Sequence, residues 1–201
     1  MTVNERYEAL KSKIVKRKDE FAKLINFMEN ETAYLEAPAS TRFHLCRRGG
    51  LLEHSVNVAE AMLRFKNAVA PEIDDESCII VALIHDLGKT GMPGNPQYLE
   101  NEPTPKQKQY GYPASIPFRM NESLIYLSVP VRSLYLALPH ISLSEEEVQA
   151  VMYHDGQYVD DNKSVATKET PLLLLLQYAD TWSTFVTEKD PKRKYFPKGR
   201  L

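Results

Sequence analysis

Two histidines and two aspartates stand inside otherwise apolar segments: His54 in GGLLEHSVNVAEAML, the doublet His85-Asp86 in CIIVALIHDLGKTG, and Asp180 in LLLLLQYADTW. A buried ionised carboxylate with no compensating charge is expensive. Asp86 and Asp180 both follow runs too apolar for a surface, so the four side chains read as one site for a divalent cation. Two neutral imidazoles and two carboxylates suit Mn²⁺, Fe²⁺, Co²⁺, Ni²⁺ or Zn²⁺ better than Mg²⁺.

The rest of the chain sets the frame. With 201 residues, 43% of them hydrophobic, it can bury a full core, and the length favours one domain. A net charge of -2 creates no general field for nucleic acid or an anionic membrane, so any phosphate affinity must be local. Cys46 and Cys78 lie in separate apolar contexts, as reduced thiols of a cytoplasmic protein would. The N-terminus is polar throughout, unlike a signal peptide, and the apolar run Leu172 to Leu176 is far short of a membrane span.

Helical periods dominate. Tyr7, Leu10, Ile14, Phe21, Leu24 and Met28 predict one amphipathic helix over 3–30, in an N-terminal segment 1–36 that packs on a core of residues 37–188. The spacing would also permit a homodimer seam, but Arg17 falls in the stripe and favours packing within the chain. A second helix runs from Gly50 to about Val69 and carries His54. A third, from Asp75 as N-cap through Leu87, ends at Gly88 as a left-handed terminator, with His85 and Asp86 in its last turn. The proline-rich segment 92–119 reads as a flap beside the site, either a loop or a small hairpin pairing Tyr98-Leu99 with Tyr110 to Tyr112. Further helices follow over Ser123–Leu138, bent at Pro130, and from the Ser144/Glu147 capping box through Tyr153, which delivers His154 before Gly156. Thr170-Pro171 opens a central apolar helix in which Trp182 should be core, and residues 189–201 read as a frayed or partner-bound tail.

The order His54, His85-Asp86, Asp180, with APASTRFHLCRRGGLLEHS, IHDLGK and YHDGQYVDDN…LLLLLQYADTW, resembles the HD-domain metal-dependent phosphohydrolases. It looks most like the single-domain members of bacteria and phages, and is similar to the HD half of a 3′-to-5′ exoribonuclease family. The resemblance runs from about Pro38 to Glu188. It implies an all-α bundle in which His54, His85, Asp86 and Asp180 hold one divalent ion, and hydrolysis of a nucleotide or related small phosphoester by water that the ion activates. Relatives with two ions carry two more histidines. His154 fills one of those slots but Val129 stands in the other, so a single ion is expected, with His154 contacting phosphate or acting as general acid. Asp180 would orient the water, and Lys89 would neutralise phosphate oxygens. Arg47, Arg48 and Arg132 are further candidates to grip phosphate. His44 either reaches the site or is a hydrogen-bonded structural histidine, and His140 reads as a loop residue. A phosphodiesterase of the exoribonuclease type is the alternative, weakened by the lack of a basic stripe or attached strand-rich module. A non-catalytic nucleotide-binding module is the other, and the full ligand set argues against it.

Overall fold

The computed structural model describes residues 1–189, and within them the expected single N-terminal helix is two: α1 (Val3–Lys11) and α2 (Lys18–Glu31). The break is made by a residue far along the chain. The buried carboxylate of Glu76 accepts hydrogen bonds from the backbone N–H groups of Val15 and Lys16 at 2.6 Å each and Arg17 at 3.2 Å. Three donors at the start of α2 thus find their acceptor on α4 (Asp75–Ile84), and the chain turns there. Arg17 leaves the apolar stripe by forking onto Glu147, at 2.9 and 2.6 Å. The stripe itself is spent inside the chain, since Tyr7, Leu10, Ile14, Phe21, Leu24 and Met28 are all buried.

The core lies where α3 (Gly50–Val69) packs against α4 and against α8 (Pro171–Trp182), with α7 (Glu145–Met152) on α8. Helix α4 is buried on every face from Cys78 to Ile84, as its unbroken CIIVALI run demands. Each large side chain so enclosed contributes roughly 1.5–3 kcal/mol. That burial makes α4 a fixed base for the His85-Asp86 doublet at its end.

The α-helix stops at Ile84, His85 caps it, and a 3-10 turn runs over Leu87–Thr90; the N-cap is Asp74, one residue before the expected Asp75. Gly88 is not the left-handed terminator. A Cβ on it would lie 2.3 Å from the carbonyl oxygen of Val129 and 3.0 Å from the nitrogen of Ser133, because α6 (Val129–Ala137) crosses directly over it. Gly91, at φ +81° and ψ −140°, takes the positive-φ position instead, in an extended rather than a left-handed helical conformation. Ser133 ties the two elements together: its hydroxyl accepts from the Gly88 N–H at 2.7 Å and donates to the His85 carbonyl at 2.8 Å.

Other boundaries shift for local reasons. Helix α6 begins at Val129 with Pro130 in its first turn, so the proline starts the helix where a bend within Ser123–Leu138 was expected. In the proline-rich segment, β1 (Tyr98–Glu100) pairs antiparallel with β2 (Phe118–Met120), Leu99 opposite Arg119. Tyr110 to Tyr112 are not its partner: they follow α5 (Pro105–Gln109), which a Thr104/Gln107 capping box starts. The Ser144/Glu147 box and Gly156 at φ +70° bracket α7 and its exit as predicted. Trp182 is half exposed rather than core, resting edge-on against Phe65 with ring centroids 6.0 Å apart. Apart from Lys189, the tail 189–201 lies outside the described residues. Among the described residues no helix is long and apolar enough to cross a membrane.

Candidate metal centre

The end of α4, the last turn of α8 and the first turns of α3 meet at one point, and the donor atoms they carry meet with them. The Nε2 atoms of His54 and His85 lie 3.3 Å apart. Asp86 Oδ2 is 3.6 Å from the first and 3.4 Å from the second, and Asp180 Oδ1 is 3.1 Å from His54 Nε2. His54, His85 and Asp86 are buried, while the Asp180 side chain is 23% exposed and faces the opening.

The outer ring nitrogens show what the inner ones can do. Nδ1 of His85 sits 2.8 Å from the carbonyl of Ala82, and Nδ1 of His154 sits 2.8 Å from that of Val151. A carbonyl only accepts, so each Nδ1 carries the proton and each Nε2 of the neutral ring keeps its lone pair for the cluster. His54 uses a carboxylate for the same purpose: both oxygens of Glu188 lie 3.1 Å from its Nδ1.

Charge in the cluster is lopsided toward the acids. Burial would depress the His54 imidazole, but Asp180 and Glu188 override it and hold it up at about 10. His154 is likewise lifted against burial, to about 9, chiefly by Asp86. Burial would raise the carboxyls of Asp86 and Asp180; Lys89 and His85 around the first, and His54 beside the second, hold both well below the usual range. The acids therefore stay ionised, and without an ion they draw protons onto His54 and His154. His54, His85 and Asp86 form one group of donors that could hold a metal, and His85, His154 and Asp180 another that overlaps it.

Residues 51–182, most of the chain, match the HD domain family, a stretch that holds all five of these side chains. The chain belongs to the HD-domain family. HD domains bind divalent metals and are typically metal-dependent phosphohydrolases. No curated protein and no solved structure matches the chain.

Around this HD cluster the remaining candidates divide. Lys89 forms an ion pair with Asp86 Oδ2 and lines a cavity of about 520 Å³ that opens over His54, Asp86, His154 and Asp180. His154 joins the cluster, its Nε2 3.6 Å from Asp86 Oδ1, while the carboxylate of Asp155 beside it is half exposed. His44 packs tilted against His54 with centroids 4.9 Å apart; burial pushes its imidazole down to about 4, and neither ring nitrogen has a hydrogen-bond partner. It walls both the site cavity and a second cleft of about 550 Å³, shared with Phe43, Arg47 and Ile116. Arg47 also pairs with Glu53. Arg48 is on the surface, held by Glu100 at 2.6 Å. Arg132 is buried away from the cavity, where it donates to Gln97 and to the Ile125 carbonyl. Val129 supplies a backbone carbonyl over Gly88, and His140 stacks on Phe27 at 4.2 Å. Glu188 escaped the sequence reading, because a lone glutamate in a polar stretch after an apolar helix carries no signal of its own.

Proposed function

We propose that this HD domain hydrolyses a nucleotide or a related small phosphoester, with one divalent ion held by His54, His85, Asp86 and Asp180. The observation that carries the reading is that Nε2 of His54, Nε2 of His85 and Asp86 Oδ2 lie 3.3–3.6 Å apart, with Asp180 Oδ1 3.1 Å from His54 Nε2, while the Nδ1 atoms bond outward. Donors bound at ~2.1 Å to one ion are ~3.0–3.4 Å apart for angles between about 90° and 109°, and three of these four separations fall in that range, the fourth being 3.6 Å. When bound, the ion polarises a phosphoryl oxygen and makes a water more acidic.

The chain's own groups supply the remainder. Lys89, its charge kept by Asp86, neutralises phosphate oxygens entering the cavity. The Asp180 carboxylate, ionised and turned to the opening, orients the attacking water and accepts its proton. His154, its Nε2 turned toward the cluster, is placed to contact the bound phosphate or, in its protonated form, to donate a proton to the leaving oxygen. A nucleotide is favoured because the second cleft adjoins the first across His44, with room and an exposed Phe43 ring for a sugar and base. The test is a nucleotide panel assayed with Mn²⁺, Co²⁺ and Mg²⁺, using His85→Ala and Asp86→Ala as controls. Metal-dependent turnover lost in both variants is expected; turnover that survives in both refutes the centre.

A further inference from the structure

Resting on the metal-centre reading above, we propose that Glu188 is a positioning residue: it holds the Nδ1–H of His54 so that Nε2 presents its lone pair to the cation. Glu188 lies beyond the stretch that matches the family, residues 51–182. Its carboxylate is nonetheless one of the best enclosed acids of the site, with a side chain 1% exposed. Such an acid needs a partner, and its oxygens find His54 Nδ1 at 3.1 Å, the Asn57 amide at 2.8 Å and His44 Nε2 at 3.8 Å. Asn57 is one turn along α3 from His54, so the carboxylate is clamped by the same helix face that carries the ligand.

The backbone that delivers it is irregular. After Trp182 the helix changes to a π-turn over Ser183–Thr187, closed by the Glu188 N–H on the Ser183 carbonyl at 2.9 Å. Such turns are rare and occur frequently at functional sites. Winding five residues per hydrogen-bonded turn instead of four re-aims Glu188 around the helix axis. As a result Asp180 and Glu188, on one continuous element, meet opposite nitrogens of the same ring, each at 3.1 Å. One carboxylate faces the cation position and the other fixes the tautomer, the arrangement by which outer carboxylates sharpen histidine ligands.

Mn²⁺ affinity, measured by titration calorimetry on the full chain, tests this. Glu188→Ala should weaken binding about 10–100-fold. Glu188→Gln, whose amide oxygen still accepts from Nδ1–H, should weaken it less than Glu188→Ala but measurably. Glu147→Gln, which loosens an ion pair remote from the site, should lower stability and leave Mn²⁺ affinity unchanged. The nitrogen-15 signature of His54 in the metal-loaded protein should change from one Nδ1–H tautomer to a mixture in Glu188→Ala. Folded variants that bind Mn²⁺ within twofold of wild type overturn the role of Glu188 alone, and if Glu188→Ala does not fold, Glu188→Gln decides. A wild-type chain that takes up no Mn²⁺ overturns it together with the metal centre.

Discussion

Replacing Gly88 by Ala tests how the doublet is positioned. The backbone of Gly88 lies outside the left-handed region, so Ala meets no conformational penalty, and the whole cost is steric. Its Cβ would stand 2.3 Å from the Val129 carbonyl oxygen, 3.0 Å from the Ser133 nitrogen and 3.1 Å from the Arg132 Cβ. An ordinary contact needs about 3.4 Å or more, so α6 or the turn carrying Asp86 and Lys89 must retreat by about 1 Å. Overpacking of this kind costs ~1–3 kcal/mol. At roughly 2–4 °C per kcal/mol for a chain of this size, Tm should fall by about 2–12 °C. Displacing reacting groups by 1 Å can cost ~10²-fold, so kcat/KM should fall far more than stability suggests. Thermal melts with steady-state kinetics and Mn²⁺ titration provide the assay, with Gly88→Asn alongside. A left-handed terminator would tolerate Asn, whereas packing against α6 makes Asn worse than Ala. An Asn variant as stable and active as wild type would refute the reasoning.

Glu76→Gln should cost about 1–3 kcal/mol, because the amide offers one acceptor oxygen where the carboxylate offers two and at least one of the three N–H groups loses a charge-assisted partner; denaturant melts measure it. Burial would raise the Glu76 carboxyl, and the N–H groups of Lys16, Val15 and Arg17 outweigh it and hold it low. Its contribution is therefore complete above the unfolded value near 4.5 and lost as pH falls through the lower folded value, and the Gln variant should show a shallower acid-side loss of stability. Lys89→Ala should lower kcat/KM by about tenfold or more, while Arg48→Ala, engaged with Glu100 on the surface, should leave kinetics unchanged. Asp86→Ala leaves the partly buried Lys89 without its nearest counter-ion and should lower stability in the metal-free protein as well as abolish metal binding, as paired melts with and without Mn²⁺ would reveal.

What could be read along the chain was whatever depends on near neighbours. The apolar period and caps of α3, α7 and α8 are local, and so is the contradiction of an aspartate at the end of CIIVALIH or inside LLLLLQYAD. That contradiction is why His54, His85, Asp86 and Asp180 stood out, and the fold does bring them together. Features set by distant partners were invisible. The break between α1 and α2 is imposed by Glu76, and the reason for Gly88 lies in the backbone of Val129 and Ser133. Hairpin register was misread because the tyrosines at 110 and 112 look like strand residues, while the Thr104 box commits the preceding stretch to a helix. Trp182 was assigned to the core by its apolar helix, although it ends that helix half exposed, with an edge contact to Phe65 of α3. Arg132 shows the opposite limit: an arginine among hydrophobic residues was a candidate for phosphate, and its guanidinium serves carbonyls inside the fold.

The most direct measurement is anomalous scattering from crystals equilibrated with Mn²⁺. The account predicts one strong peak within ~2.4 Å of His54 Nε2, His85 Nε2, Asp86 Oδ2 and Asp180 Oδ1. At saturating Mn²⁺, a pocket with no peak among those atoms, or a peak held by other residues, would contradict it.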